Sequence, residues 1–292
     1  MTTAPSPSAI GADQAADVIV DVRNVSKTFR ADGGREVHAL RDVSFQVRRS
    51  EIVALTGRSG CGKTTLLRII MGLERPSSGS VAVNGTPVTG CGLDRGIVFQ
   101  NAELLPWRTA VGNVEFGLEA RGMSKAKRRE VAMVAIELVG LGHAANRRPH
   151  ELSGGMRQRV GIARALAIDP AVLLMDEPLS ALDAQTRESM QAELLDIHAR
   201  TGKTIVIVSH DLDESVLLAD RVVTLVPDPG RLHGVLDTAH GAGTSLDERR
   251  ASPDFPARRH ELWQLVHGQE IGRETDRETG RQDAAHRTED RT

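Results

Sequence analysis

Aromatic residues are almost missing from this chain: five Phe, two Trp and no Tyr in 292 residues. That scarcity argues against the platforms on which bases of RNA or single-stranded DNA stack. Cysteine is rarer still, at Cys61 and Cys91 only. Two cysteines exclude a disulfide scaffold and suit a reducing cytoplasm. Neither sign of charge dominates, since 37 Lys and Arg against 39 Asp and Glu leave a formal net charge of −2. The basic excess of a general nucleic-acid binder is therefore lacking, and no nucleic-acid partner is expected. No run approaches the ~18 apolar residues of a membrane-spanning helix. Residues 1–16 also lack a basic stretch followed by an apolar core, so no secretory leader is expected. Attachment to a membrane would have to come through a partner or the surface. What remains is length enough for one large α/β domain, or for one carrying an inserted subdomain.

The stretch Gly57-Arg58-Ser59-Gly60-Cys61-Gly62-Lys63-Thr64 meets every constrained position of the phosphate-binding pattern G-x-x-x-x-G-K-[ST]. Before it, Ile52 to Thr56 reads as a buried strand; after it, Lys63 to Met71 reads as a helix with Leu66, Leu67, Ile69 and Ile70 available for packing. A glycine-rich turn without chemistry would not need that strand-to-helix setting. The glycines let successive N–H groups turn inward, and the helix start adds free N–H groups and the positive end of its dipole. Lys63 is expected to reach the β- and γ-phosphates, and the Thr64 hydroxyl to ligate Mg²⁺. Thr65 belongs to the same expected nucleotide site.

Along the rest of the chain, residues 1–16 read as a disordered lead, and Val18–Val25 and Val43–Val47 as alternating strands of an antiparallel sheet. Asn84-Gly85 signals a tight turn, and Gly96–Phe99 a short strand ending at Gln100. Residues 101–158 change to helical character. There Val131, Val134, Ala135, Leu138 and Val139 follow one amphipathic face, with Ser124 as N-cap and Gly140 as stop. The adjoining Lys125, Lys127, Arg128 and Arg129 read as a solvated face. Past 159 the strand–helix rhythm returns, with strands at 171–175, 204–208 and 221–226 and a helix over 183–200. Such alternation implies right-handed crossovers in a parallel sheet. After 242 the chain is charged and polar apart from a short helix near 261–266, and the end after Gln269 reads as disordered.

Two further stretches carry chemistry. Leu174-Met175-Asp176-Glu177 closes a buried strand with two carboxylates at the sheet edge where open α/β folds bind ligands. Asp176 is placed to hold Mg²⁺ and Glu177 to activate a water. Leu152-Ser153-Gly154-Gly155-Met156-Arg157-Gln158 opens another helix with a second start suited to an anion. One nucleotide has no obvious need for two such starts.

This stretch resembles the signature motif of the ATP-binding-cassette (ABC) ATPases. Gln100 stands where the family's Q-loop glutamine stands, and Ser180-Ala181-Leu182-Asp183 is similar to its D-loop. His210 after Ser209 matches its switch histidine, and Phe29 looks like the aromatic that stacks on adenine. The resemblance covers roughly residues 18 to 232. It implies a P-loop α/β fold with a mixed or parallel core sheet, an antiparallel β subdomain and an inserted helical subdomain. The expected organisation is a lead at 1–16, an ATPase domain at 17–232 with its insert at about 101–158, and a largely disordered extension at 233–292. It further implies a head-to-tail homodimer, related by Asp183 among others, in which Ser153, Gly154 and Gly155 of one copy complete the ATP site of the other. Glu177 would polarise the attacking water, His210 would hold the γ-phosphate, and Gln100 would link Mg²⁺ to the insert.

The segment from Gly96 to Leu118, the run Asp211–Arg221, Pro229-Gly230-Arg231 and Met156 within the signature look like the importer ATPases of the nitrate, sulfonate and taurine group. Leu179-Ser180 departs from that group's usual Phe-Gly. The resemblance thus implies ATP and Mg²⁺ as cofactors, transmembrane permease subunits, an external solute-binding protein acting through them, and a peripheral place on the cytoplasmic membrane face. Trp107 is either a core anchor or part of the surface that receives the permease. A soluble cassette ATPase of an assembly or repair complex is the competing reading. Against it stand the importer-like segment and the lack of a coiled-coil or zinc-binding insert.

Overall fold

A computed structural model of the chain describes residues 17–30, 34–238, 240–241 and 243–267. The lead at 1–16, most of the Asp32–Gly34 turn and the tail after Gln269 fall outside them.

Strands β1 (Val18–Arg30), β2 (Glu36–Arg48), β4 (Ser78–Val83) and β5 (Thr86–Pro87) form an antiparallel sheet in the order β2-β1-β4-β5. The first two run well beyond the expected Val18–Val25 and Val43–Val47. Their added halves are mostly exposed and cross register shifts, so no buried alternation marks them in the sequence. A second sheet has the order β10-β9-β3-β8-β7-β6, built from β3 (Ile52–Gly57), β6 (Arg95–Val98), β7 (Val172–Asp176), β8 (Thr204–Val208), β9 (Arg221–Val226) and β10 (Arg231–Asp237). All its neighbours pair in parallel except β10 on β9.

The central strands are buried on both faces, and their alternate residues enter different cores. Val53, Leu55, Val172, Leu174, Val206 and Val208 join the antiparallel sheet and α1 (Lys63–Met71) on one side. Ile52, Ala54, Leu173, Met175, Ile205 and Ile207 join the helices on the other. Hence the continuous apolar runs at 52–55, 172–175 and 204–208. Each Val, Leu, Ile or Met among them contributes about 1.5–3 kcal/mol when fully buried.

The helical insert contains α2 (Ala110–Glu119), α3 (Lys125–Leu138) and the start of α4 (Gly154–Ala167). The Ser124 hydroxyl accepts from Lys127 N and caps α3 as expected. Its buried face differs. Ala132, Ala135, Ile136 and Val139 point inward, while Val134 is 67% exposed. The run is apolar nearly all round and offers two stripes one residue apart; packing takes the stripe whose alanines allow close approach. Of the basic cluster, Lys125 and Lys127 are exposed, whereas Arg129 lies 3.5 Å from Glu115 and Arg128 donates to the Met123 carbonyl.

The C-terminal reading also needs correction. A boundary at 232 would cut through β10, which pairs with β9 and follows it among the described residues. Two helices follow α5 (Ala184–Thr201) and α6 (Leu212–Leu218): α7 (Leu246–Ala251) and α8, residues 255–267. Their Leu246, Leu262 and Val266, with Leu236 of β10, are buried in the helix-side core. Single apolar residues set this far apart among charges carry no periodic signal, which is why the segment reads as an extension. His240 Nε2 lies 2.6 Å from the Val216 carbonyl, and the buried Arg249 guanidinium donates to the carbonyls of Leu217 and Leu218 at 2.9 and 3.0 Å.

Candidate nucleotide site

Three neighbouring strands end on the same edge of the parallel sheet. The phosphate-loop segment leaves β3, Asp176 and Glu177 leave β7, and Ser209 and His210 leave β8 between them. The edge is held together by backbone bonds, Ser209 N to Leu55 O at 3.2 Å and Glu177 N to Val208 O at 3.0 Å. Residues far apart in sequence therefore meet because parallel pairing sets the ends of their strands side by side.

Gly57 ends β3 buried, and Arg58, Ser59 and Gly60 form the exposed crest of the loop. Cys61 is wholly buried within the core shared with β1 and α1. Burial pushes its thiol above the usual range, against the opposing pull of Lys63. Cys61 is thus a filler. Gly62 is the N-cap of α1 with φ +93°, and a Cβ there would lie 2.6 Å from Leu40 Cδ2, so both conformation and space require glycine. Lys63, 7% exposed, curls back and donates from Nζ to the carbonyls of Gly57 at 2.8 Å and Arg58 at 3.2 Å. Its ammonium is thereby tied back onto the loop, and Lys63 lines the pocket beside it.

Thr64 Oγ1 donates to Asp176 Oδ1 at 3.2 Å. Desolvation raises the Asp176 carboxyl, opposed first by this hydrogen bond and further raised by Glu177. A hydroxyl and a half-buried carboxylate in contact are hard oxygen donors of the kind Mg²⁺ takes alongside substrate phosphates, so the pair fits that ion. Glu177 has φ +47°, a left-handed conformation that costs a non-glycine residue roughly 1–2 kcal/mol. Its carbonyl accepts from the Ser180 hydroxyl at 2.9 Å, and its Oε2 lies 3.3 Å from Nδ1 of His210. The distorted backbone turns the carboxylate out of the strand line toward the loop.

One pocket of about 560 Å³ gathers Ser59, Gly60, Gly62, Lys63, Thr64, Thr65, Glu177 and His210. Phe29, Gln100, Ser153, Gly154, Gly155 and Asp183 are not in its lining. Phe29 lies at the end of β1, 39% exposed, with Lys27 Nζ 4.8 Å from its ring centroid. Gln100 is exposed just past β6, and the carbonyl of its neighbour Phe99 accepts from Gln158 Nε2 at 3.0 Å. Ser153 caps α4 by accepting from Met156 N, and Asp183 caps α5 by accepting from Thr186 N. The backbone hydrogen bond from Thr186 holds the Asp183 carboxyl below its usual range. The two helix starts touch: a Cβ on Gly155 would lie 2.7 Å from Thr186 Cγ2.

The sequence reading missed two connections. Arg164 donates to the carbonyls of Ala102 at 2.6 Å and Glu103 at 2.8 Å, so Gln158 and Arg164 fasten the segment around Gln100 to α4. Glu214 is 4% exposed beside Asp211 and Ser209, where an acid in the first turn of a helix reads as a surface charge. Its position four residues after His210 was the only available signal.

The ABC transporter family profile matches residues 40–180. The chain is similar to an uncharacterised ABC transporter ATP-binding protein of Methanocaldococcus jannaschii, 50% identical over 219 residues, spanning 75% of this chain and 82% of that protein. It is also similar to the taurine import ATP-binding protein of Yersinia pestis, 48% identical over 228 residues and spanning 77% and 89%. Among solved structures, a dimeric ATP-binding cassette in a post-hydrolysis state bound to ADP and Pi superposes with a TM-score of 0.67 at 33% identity, covering 76% of this chain and all of that one. A subunit of an ABC transporter complex from Clostridium perfringens superposes with a TM-score of 0.68 at 26% identity, covering 84% and 99%.

Proposed function

The chain belongs to the ABC transporter ATP-binding family, whose members bind and hydrolyse ATP, and from that premise we propose that it powers an importer for a small anionic solute of the taurine, sulfonate or nitrate type. In this reading Ser59 to Thr65 and Lys63 cradle the phosphates, Thr64, Asp176 and Gln100 hold Mg²⁺, and Phe29 stacks on the base. When bound, Mg²⁺ neutralises charge developing on the phosphate oxygens. Glu177 takes a proton from the attacking water, and His210 holds the γ-phosphate within the same pocket.

One observation carries the mechanism. Glu177 and His210 face the phosphate loop in one pocket, whereas the signature start at Ser153–Gly155 is outside that pocket's lining and abuts the start of α5. A second copy arranged head to tail would bring its Ser153, Gly154 and Gly155 onto the γ-phosphate, with Asp183 near the shared surface. ATP then closes the dimer because its γ-phosphate bridges two helix starts, and cleavage removes the bridge. Permease subunits would receive this motion, with an external solute-binding protein delivering the solute to them and the ATPase lying peripherally on the cytoplasmic face. Among the described residues no helix is long and apolar enough to cross a membrane, which accords with a peripheral place. The importer reading draws support from 48% identity to a taurine import ATP-binding protein. Co-purification of a tagged chain from membranes tests it. A permease with a solute-binding partner is expected; recovery with a cytosolic assembly complex alone would reject transport.

A further inference from the structure

Glu177 and His210 face two spaces. In front is the phosphate pocket; behind is a separate cavity of about 40 Å³, walled by Glu177, His210, Ser209, Asp211, Arg187 and Glu214. A cavity of this size with several polar walls has room for an ordered water. Glu214 contributes a nearly fully buried carboxyl to it from the first turn of α6, where its backbone N–H is fixed by Asp211 Oδ1 at 3.1 Å. Desolvation and then Asp211 push that carboxyl up to about 7; Ser209 and Arg187 pull it back, and Glu177 adds a smaller rise.

Asp211, Arg187 and Glu177 are the ionisable groups that act on this carboxyl, and His210 shares the cavity wall. The Arg187 guanidinium from α5 is engaged with the carbonyls of Leu179 and Leu182. Strand β3 brings no ionisable side chain, Arg221 of β9 pairs with Glu51 at 3.0 Å, and Arg249 of α7 is spent at the far end of α6. Asp213 on α6 itself pairs outward with Arg259.

We propose that Glu214 accepts the proton that Glu177 removes from the attacking water, acting through Glu177 across the rear cavity without touching the nucleotide. The water oxygen bonds to the γ-phosphorus as the bond from that phosphorus to the β–γ bridging oxygen breaks, and that oxygen departs with ADP. The water proton passes to Glu177 and through the cavity to the Glu214 carboxylate. It leaves to solvent beside His210, whose side chain is 62% exposed. Each turnover therefore starts from ionised Glu214, and kcat rises as pH climbs through its ionisation. The inference rests on Glu177 as the base.

The test is kcat and KM for Mg-ATP from roughly pH 6 to pH 8 on the full chain, where a positioned proton acceptor shows as an inflection. Wild type should inflect near pH 7. Glu214→Gln should lower kcat at least about tenfold, leave KM within about twofold and lose the inflection, while Glu214→Asp keeps it. An unchanged inflection in Glu214→Gln overturns the relay. Isotope-edited infrared titration of the wild type decides even if Glu214→Gln does not fold: a protonated carboxyl should persist at pH 6 and vanish by pH 8. Its absence at pH 6 also overturns the proposal. Glu177→Gln separates the two levels. Retained turnover there rejects the base itself, whereas loss there with an unaltered Glu214→Gln profile rejects the relay alone.

Discussion

Lys63 and Glu177 do opposite things with their charges. Lys63 is committed to its own loop through two carbonyl bonds, which on the proposed reading fixes its ammonium beside the phosphates. Lys63→Ala should weaken Mg-ATP binding by about 10- to 100-fold in calorimetry, the scale of a lost charged hydrogen bond of roughly 1.5–3 kcal/mol. Glu177 faces the pocket from a strained backbone, and in the proposed mechanism its charge serves the chemistry alone. Glu177→Gln should keep ATP binding and lose at least ~100-fold in turnover, measured by phosphate release. Glu214 makes a separate prediction about stability. Its folded-state affinity for the proton is raised, so between about pH 4.5 and 7 the native chain binds more protons than the unfolded one. Stability from this group is then lost as pH rises, and the neutral Glu214→Gln should melt higher than wild type at pH 8 but not at pH 5. Cys61 shows the limit of reading one position alone. Flanking amides suggest a lowered thiol pKa, yet complete burial prevails, and its alkylation should be slow with or without ATP.

At the scale of elements, legibility followed the number of buried faces. Strands β3, β7 and β8 bury both faces, so their bounds stood in the sequence to within a residue or so. The outer halves of β1 and β2 are exposed or half-buried apart from Leu40, so no run of buried residues marks them in the sequence. The Ser124 cap was readable for the same local reason, since it acts on an N–H group three residues away, whereas the cap at Asp183 came only with the structure. The face of α3 was not readable, because the apolar stretch from Val131 to Val139 offers two stripes and packing decides between them. Within the site, motifs announced the loop, Glu177 and His210, but the contacts between them arise from strand order. Glu214 and Arg164 were hidden because a charge in a helix reads as solvent-facing whether or not a neighbour covers it. Strand β10 and α7 lay hidden for want of periodicity, whereas the short helix read near 261–266 is the second half of α8, and these elements should matter. Leu262→Ala in α8 removes a fully buried side chain from the helix-side core and should cost about 2–5 kcal/mol in denaturant unfolding.

Among the described residues the phosphate pocket and the helix start at Ser153–Gly155 are separate on the same chain, and the proposed head-to-tail dimer would bring them together. Exposed aromatics mark the helical insert, the surface proposed to receive the permease. Trp107 is 69% exposed and Phe116 49%, both in the helical insert, so Trp107 is no core anchor. Trp107→Ala should uncouple transport from ATP hydrolysis in reconstituted vesicles while leaving the melting temperature of the isolated chain unchanged. The shared ATP site remains the central claim, and sedimentation velocity of Glu177→Gln with and without Mg-ATP tests it most directly. Hydrolysis-deficient protein should pass from monomer to dimer as ATP saturates it, holding two nucleotides per dimer, and adding Ser153→Ala and Gly155→Val should prevent the shift. Saturable ATP binding by a chain that stays monomeric throughout would contradict the account.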